Sequence, residues 1–104
     1  MEDNKLTIVE NSKRLTNNIL TKYEYTHIIN TRAQQIGCDF EYQKDPIIFI
    51  DITKLDPDKI DDPIYIATEE FKQNRIPFIL KRITGDNRVE YWSVIEDNMI
   101  FLDD

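Results

Sequence analysis

The residues able to do chemistry in this chain are few, and their spacing is unhelpful for catalysis. His27 is the only histidine, so any His-dependent nucleophilic site must use it. It lies in a stretch patterned as a helix, with no Cys or Ser at a productive spacing, and reads as a structural or interface residue. Cys38, the single cysteine, reads as a small semi-buried side chain rather than a reactive thiol, and it fits a reducing compartment. Asp56-Pro57-Asp58 opens like a calcium loop, which needs a third oxygen, then Gly, and later Glu. Those later positions hold Ile60, Asp61 and Ala67, so a solvated acidic loop is expected instead. The two glycines, Gly37 and Gly85, sit in no glycine-rich phosphate cradle. These residues predict no enzyme, no metal and no cofactor.

Charge is the more informative feature. The 104 residues carry 13 Lys+Arg against 20 Asp+Glu, a formal charge of −7 at pH 7. An acidic chain repels phosphate backbones, so contact with DNA or RNA is expected to be indirect. Lys72, Arg75, Lys81, Arg82 and Arg88 form a local cationic strip, countered by Glu69, Glu70 and Asp86. It is either a solvated face or a patch that meets an acidic partner. Tyr65, Phe71, Phe78, Tyr91, Trp92 and Phe101 are many aromatics for the interior of one small domain, which suggests that some apolar area docks on a partner. The longest apolar run, Ile47-Ile48-Phe49-Ile50, is far below the ~20 residues that span a bilayer. The polar start, Met1-Glu2-Asp3-Asn4, does not resemble a signal peptide, and an intracellular protein is expected. Seventeen Ile against 3 Val and 2 Ala, with 8 Asn, suggest AT-rich coding.

The elements that must position these residues are an α+β set. Residues 1–18 show no sustained period and read as a flexible acidic leader, ordered only where Leu6-Thr7-Ile8-Val9 lies against something. Residues 19–104 form the single expected domain. Thr21-Lys22-Tyr23-Glu24 fits a capping box. Tyr25, Ile28, Ile29, Arg32, Ala33 and Ile36 follow at helical spacing, with Gly37 as the expected left-handed stop. Ile47 to Ile52 reads as a short strand, set off from a central place in a sheet by Asp45-Pro46. Lys54 to Asp62 reads as loop. Asp62-Pro63 opens a second helix that ends at or before Ile76, because Pro77 follows. Residues 78–83 and 88–94 flank Thr84-Gly85-Asp86-Asn87 as a small C-terminal β-hairpin.

Several blocks carry a resemblance. Thr21-Lys22-Tyr23-Glu24, Thr31-Arg32-Ala33-Gln34-Gln35-Ile36, Asp62-Pro63-Ile64-Tyr65-Ile66-Ala67, Glu70-Phe71, Ile76-Pro77 and Lys81-Arg82 are similar to the smallest assembly subunit of multisubunit RNA polymerases. That family comprises bacterial omega, archaeal K and the sixth subunit common to the eukaryotic enzymes. The resemblance spans about residues 14 to 96 and extends through Glu90-Tyr91-Trp92.

The resemblance implies an omega-like fold and a non-catalytic subunit that wraps the C-terminal region of the largest subunit and promotes assembly of a DNA-dependent RNA polymerase. Thr21, Lys22, Tyr23, Glu24, Thr31, Arg32, Ala33, Gln35, Ile36, Asp62, Pro63, Ile66, Ala67, Glu70, Pro77 and Arg82 fall on its partner-binding motifs. Arg32 is expected to point its guanidinium at the partner, so that Arg32→Ala weakens assembly and spares the isolated fold. No membrane contact and no homo-oligomer are implied. The location is the nucleus for a cellular eukaryotic copy, or cytoplasm or virion for a viral one. The chain departs from the family at Tyr25 and His27, at Gly85-Asp86-Asn87, and in the longer stretch between Ile36 and Asp62. An acidic interaction or inhibitor domain that targets a polymerase or mimics DNA is the alternative, favoured by the charge and by Asp103-Asp104.

Overall fold

The computed structural model describes residues 5–41 and 47–102. Its contacts divide the chain into two compact units, Leu20–Ile76 and Met1–Ile19 with Pro77–Asp104. Met1-Glu2-Asp3-Asn4, Asp45-Pro46 and Asp103-Asp104 lie outside the described residues.

Unit Leu20–Ile76 is built on two helices, α1 (Lys22–Glu41) and α2 (Pro63–Lys72). The capping box forms as expected: the Glu24 N–H donates to Thr21 Oγ1 at 3.0 Å, and the Thr21 N–H to Glu24 Oε1 at 2.9 Å. The other end of α1 differs from expectation. The helix runs on through Gly37, whose φ is not positive, to Glu41. Gly37 is instead a place of close approach, where an added Cβ would lie 3.5 Å from Pro63 Cγ. Tyr25 meets Phe71 edge-on at 5.0 Å between ring centroids. With Gly37 beside Pro63, these contacts make the two helices antiparallel neighbours. Ile28, Ile29, Ala33 and Ile36 from α1 and Ile66 and Ala67 from α2 are buried.

α2 starts and stops by side-chain and backbone capping. Asp62 accepts the Ile64 N–H at 3.0 Å, and Pro63 occupies the first turn. The helix ends well before Pro77, because Asn74 turns left-handed with φ 58°. The Arg75 N–H then reaches the Glu70 carbonyl and the Asn74 N–H the Phe71 carbonyl, both at 2.9 Å, a Schellman motif with Asn in the usual place of Gly. The strand expected over Ile47–Ile52 does not form: residues 47–50 are irregular, and Ile52–Lys54 is a single 3₁₀ turn capped by Asp51. Backbone groups of Ile47 and Phe49 are bonded by the Arg32 and Glu70 side chains, which leaves them unavailable for a ladder. Lys54 to Asp62 is loop, as expected, pinned by buried Leu55 and by a bond from the Asp56 N–H to Tyr65 Oη. Cys38 is exposed on α1 rather than semi-buried.

The second unit is a three-stranded sheet in the order β1-β3-β2, with β1 Thr7–Ile8, β2 Ile79–Thr84 and β3 Arg88–Ser93. The hairpin β2–β3 turns at residues 85–87 with Asn87 at φ 61°, so Asn rather than Gly85 takes the left-handed position. β1 runs parallel to β3, which corrects the flexible leader: within residues 5–18, Thr7 and Val9 donate to the Asn87 and Val89 carbonyls, each at 2.8 Å. A two-residue strand is too short to show a period, and its partner lies about eighty residues away. Arg14 then clamps the far side, reaching Asp97 through both terminal nitrogens at 3.1 and 3.2 Å and lying 3.9 Å from the Trp92 ring. That ion pair holds the Asp97 carboxyl below the usual carboxylate range.

Glu90 is buried at 1% exposure in this unit. Burial pushes its pKa up, but it accepts bonds from the Thr16 hydroxyl, the Leu15 N–H at 2.7 Å and Trp92 Nε1 at 3.0 Å. The donors win, and the carboxyl is held at about 2.

Two measurements check these arrangements. Since Gly37 lies within a helix with ordinary space at its Cβ, Gly37→Ala should stabilise the chain by about 0.4–1 kcal/mol in urea denaturation. A left-handed stop would give a loss instead. Glu90 has a folded pKa below its unfolded value, so its contribution is complete above pH 4.5 and lost as pH falls toward about 2. Melting temperature followed from pH 7 to 2 should decline across that window, and less steeply in Glu90→Gln, which should start lower at neutral pH.

Candidate functional site

Arg32 and Glu70, one from each helix, meet in the interior of their unit. Arg32 Nε lies 2.6 Å from Glu70 Oε1 and Nη2 lies 3.0 Å from Oε2, a bidentate pair with side chains 6% and 0% exposed. Each group has further bonds. The Arg32 Nη2 also reaches the Ile47 carbonyl, and Nη1 reaches Gln35 Oε1 at 3.3 Å. Glu70 Oε2 accepts the Phe49 N–H at 2.9 Å, and the guanidinium lies 4.4 Å from the Phe49 ring centroid. The network ties α1, α2 and the 47–50 segment together.

This overturns the expectation for Arg32. Its guanidinium points into the fold, and Glu70 is the reason, since a buried carboxylate needs donors on its oxygens and Arg32 supplies two of them. Ala33, Ile36, Ile66 and Ala67 are likewise packed inside the helix pair. Thr21 and Glu24 are occupied in capping α1, and Asp62 and Pro63 in starting α2. Thr31 and Pro63 are half-buried. Of the remaining expected positions in this unit, Lys22, Tyr23 and Gln35 are exposed, with Gln35 also holding Arg32.

Pro77 and Arg82 belong to the other unit. Pro77 is exposed. Arg82 reaches Thr16 Oγ1 at 2.9 Å and the carbonyls of Asn17 and Ile19 at 2.6 and 3.1 Å, so it fastens the chain before α1 to the hairpin. The cationic strip is thus partly internal.

The outward stripe of α1 is the surface that spacing alone did not single out. Tyr23, Thr26, His27, Asn30, Gln34 and Cys38 are exposed along it. Tyr23, 78% exposed, stacks on His27 with 5° between ring planes and 6.1 Å between centroids. The four-residue separation of the two rings is the signal that could have paired them. Arg14 and Asp97 could not have been paired from local pattern, but Glu90 and Trp92, two apart on a strand, share a face.

Arg32→Ala should lower stability by about 3–5 kcal/mol, because it strands the Glu70 charge in the interior. Arg32→Met combined with Glu70→Leu should recover most of that loss in the same denaturation experiment. A small effect of Arg32→Ala alone would show that the pair is solvated.

Similarity to known proteins follows the same stretch of chain. The RNA polymerase Rpb6 family pattern matches residues 14–78. The chain is 34% identical over 88 residues to DNA-directed RNA polymerases I, II, and III subunit RPABC2 of Schizosaccharomyces pombe, covering 85% of this chain and 54% of that protein. It is 32% identical over 88 residues to the subunit of the same name from Saccharomyces cerevisiae, covering 85% and 50%. Against DNA-directed RNA polymerases II and V subunit 6B of Arabidopsis thaliana it is 35% identical over 83 residues, covering 80% and 50%. The chain spans about half the length of these relatives. The match takes in both helices, the Arg32–Glu70 pair between them and Arg14 ahead of them, and the chain belongs to the RNA polymerase Rpb6 family.

Proposed function

We propose that this chain is a non-catalytic subunit of a DNA-directed RNA polymerase that binds the largest subunit around its C-terminal region and supports assembly of the enzyme. The observation that carries the reading is the family match over residues 14–78, the stretch that builds the helix pair. Its relatives are named as polymerase subunits. The net charge of −7 agrees with recognition of protein surfaces, leaving DNA and RNA to the rest of the assembly. The protein works inside the cell, wherever its polymerase does.

The contact surface within the helical unit is the exposed part of the motif residues rather than Arg32. Lys22, Tyr23 and Gln35 are available there, with His27 stacked behind Tyr23. An exposed tyrosine held by a stacked neighbour is a low-entropy anchor for a partner. Co-expression with the largest polymerase subunit of the same source should return a stoichiometric complex. Tyr23→Ala should reduce its affinity by more than tenfold, corresponding to a hot spot of ~2 kcal/mol, with the melting temperature of the free chain unchanged. Failure to recover any complex with the unmodified chain would overturn the function. Full recovery with Tyr23→Ala would move the contact elsewhere.

A further inference from the structure

The two sides of the β2–β3 hairpin are finished differently. Beyond β3 the backbone groups are taken one after another: the Val89 carbonyl by the Val9 N–H at 2.8 Å, the Tyr91 carbonyl by Arg14 Nη2 at 2.6 Å, and the Ser93 N–H by Asp97 Oδ2 at 2.7 Å. These bonds fix the parity of the sheet. With the Val94 N–H donating to the Phe78 carbonyl at 3.0 Å, they leave the even-numbered residues of β3 facing β2, opposite Leu80, Arg82 and Thr84. The N–H and C=O groups of Ile79, Lys81 and Ile83 then point away from β3, and none is bonded by another described residue.

The side chains of those same three residues form a row on one face. Ile79 and Ile83 are 64% and 58% exposed, Lys81 is exposed between them, and Tyr91 stands across from Lys81 at 39% exposure. An edge that combines free backbone groups with an apolar-cationic-apolar row is a template for one more strand.

We propose that the free edge of β2 accepts an extended segment of a partner protein whose alternate residues are apolar, acidic and apolar, with the acid opposite Lys81. A second copy of this chain is the poorer occupant. The antiparallel register that engages all three positions sets Ile79 against Ile83 but Lys81 against Lys81, and like charges directly opposite are destabilising. Lys81 thus guards the edge against self-pairing while selecting an acidic strand. This inference stands apart from the polymerase reading, since it rests only on the sheet.

The probe is a capped peptide with valine, glutamate and valine at alternate positions separated by threonines, titrated into the isotope-labelled full chain and followed by NMR. The amide protons of Ile79, Lys81 and Ile83 should shift and exchange more slowly as the peptide is added. A peptide with lysine in place of the glutamate should bind roughly fivefold more weakly, and Lys81→Glu should invert that preference. Equal binding of both peptides, shifts centred on other residues, or no binding would overturn the proposal. Protection of the same amides by the chain alone at rising concentration would make the occupant a second copy and overturn it as well.

Discussion

A carboxylate buried between two helices needs donors aimed at its oxygens, and the helical unit is arranged around that requirement. Glu70 has no measurable exposure, and Arg32 meets it with two nitrogens from the facing helix. The pair leaves lone pairs and protons over, and the 47–50 segment takes them up through the Ile47 carbonyl and the Phe49 N–H. A segment that would otherwise be a free apolar strand becomes the lid of an ion pair. Such a pair adds little net stability over an apolar replacement, but it penalises any packing that separates its members. It ties α1, α2 and the 47–50 segment to one another.

The sheet unit solves a related problem by a different route. Glu90 is buried without a guanidinium in contact with its oxygens, and hydroxyl, backbone and indole donors hold its charge instead. Trp92 serves twice, giving its N–H to Glu90 and its ring face to Arg14. Arg14 in turn supplies a backbone bond to Tyr91 and an ion pair to Asp97, so a segment from the start of the chain closes a sheet formed at its end. Asparagine does the work of glycine throughout: Asn74, Asn87 and Asn98 are the non-glycine residues at positive φ among the described residues, and no described glycine is there. A composition bias that reads as a mark of the genome thus also supplies the turns, because a short amide side chain tolerates the left-handed region.

Six of the motif residues, Arg32, Ala33, Ile36, Ile66, Ala67 and Glu70, are buried and hold the helix pair together, while Thr21, Lys22, Tyr23, Gln35, Asp62 and Pro77 are exposed. The outside of α1 carries less distinctive side chains, Thr26, His27 and Asn30 among them. A motif match alone does not separate these two roles, since a residue kept for packing and one kept for contact leave the same trace in a single sequence.

What the sequence determined by itself was local. The capping box at Thr21 and Glu24, the Asp62-Pro63 helix start and the hairpin each depend on residues within a few positions of one another, and each formed. The family resemblance was legible for a similar reason, because order and spacing of short blocks survive without knowledge of the fold. Tertiary structure decided the rest. Gly37 looked like a stop only because Pro63, which α1 packs against as it continues, is distant in sequence. The inward turn of Arg32 was hidden because Glu70 lies thirty-eight positions on. Residues 7–18 looked unstructured because their partners, Asn87 to Asp97, come about eighty residues later. In each case the deciding energy is a long-range bond or an ion pair whose two members carry no mark of each other in the sequence, and only the folded chain brings them within reach.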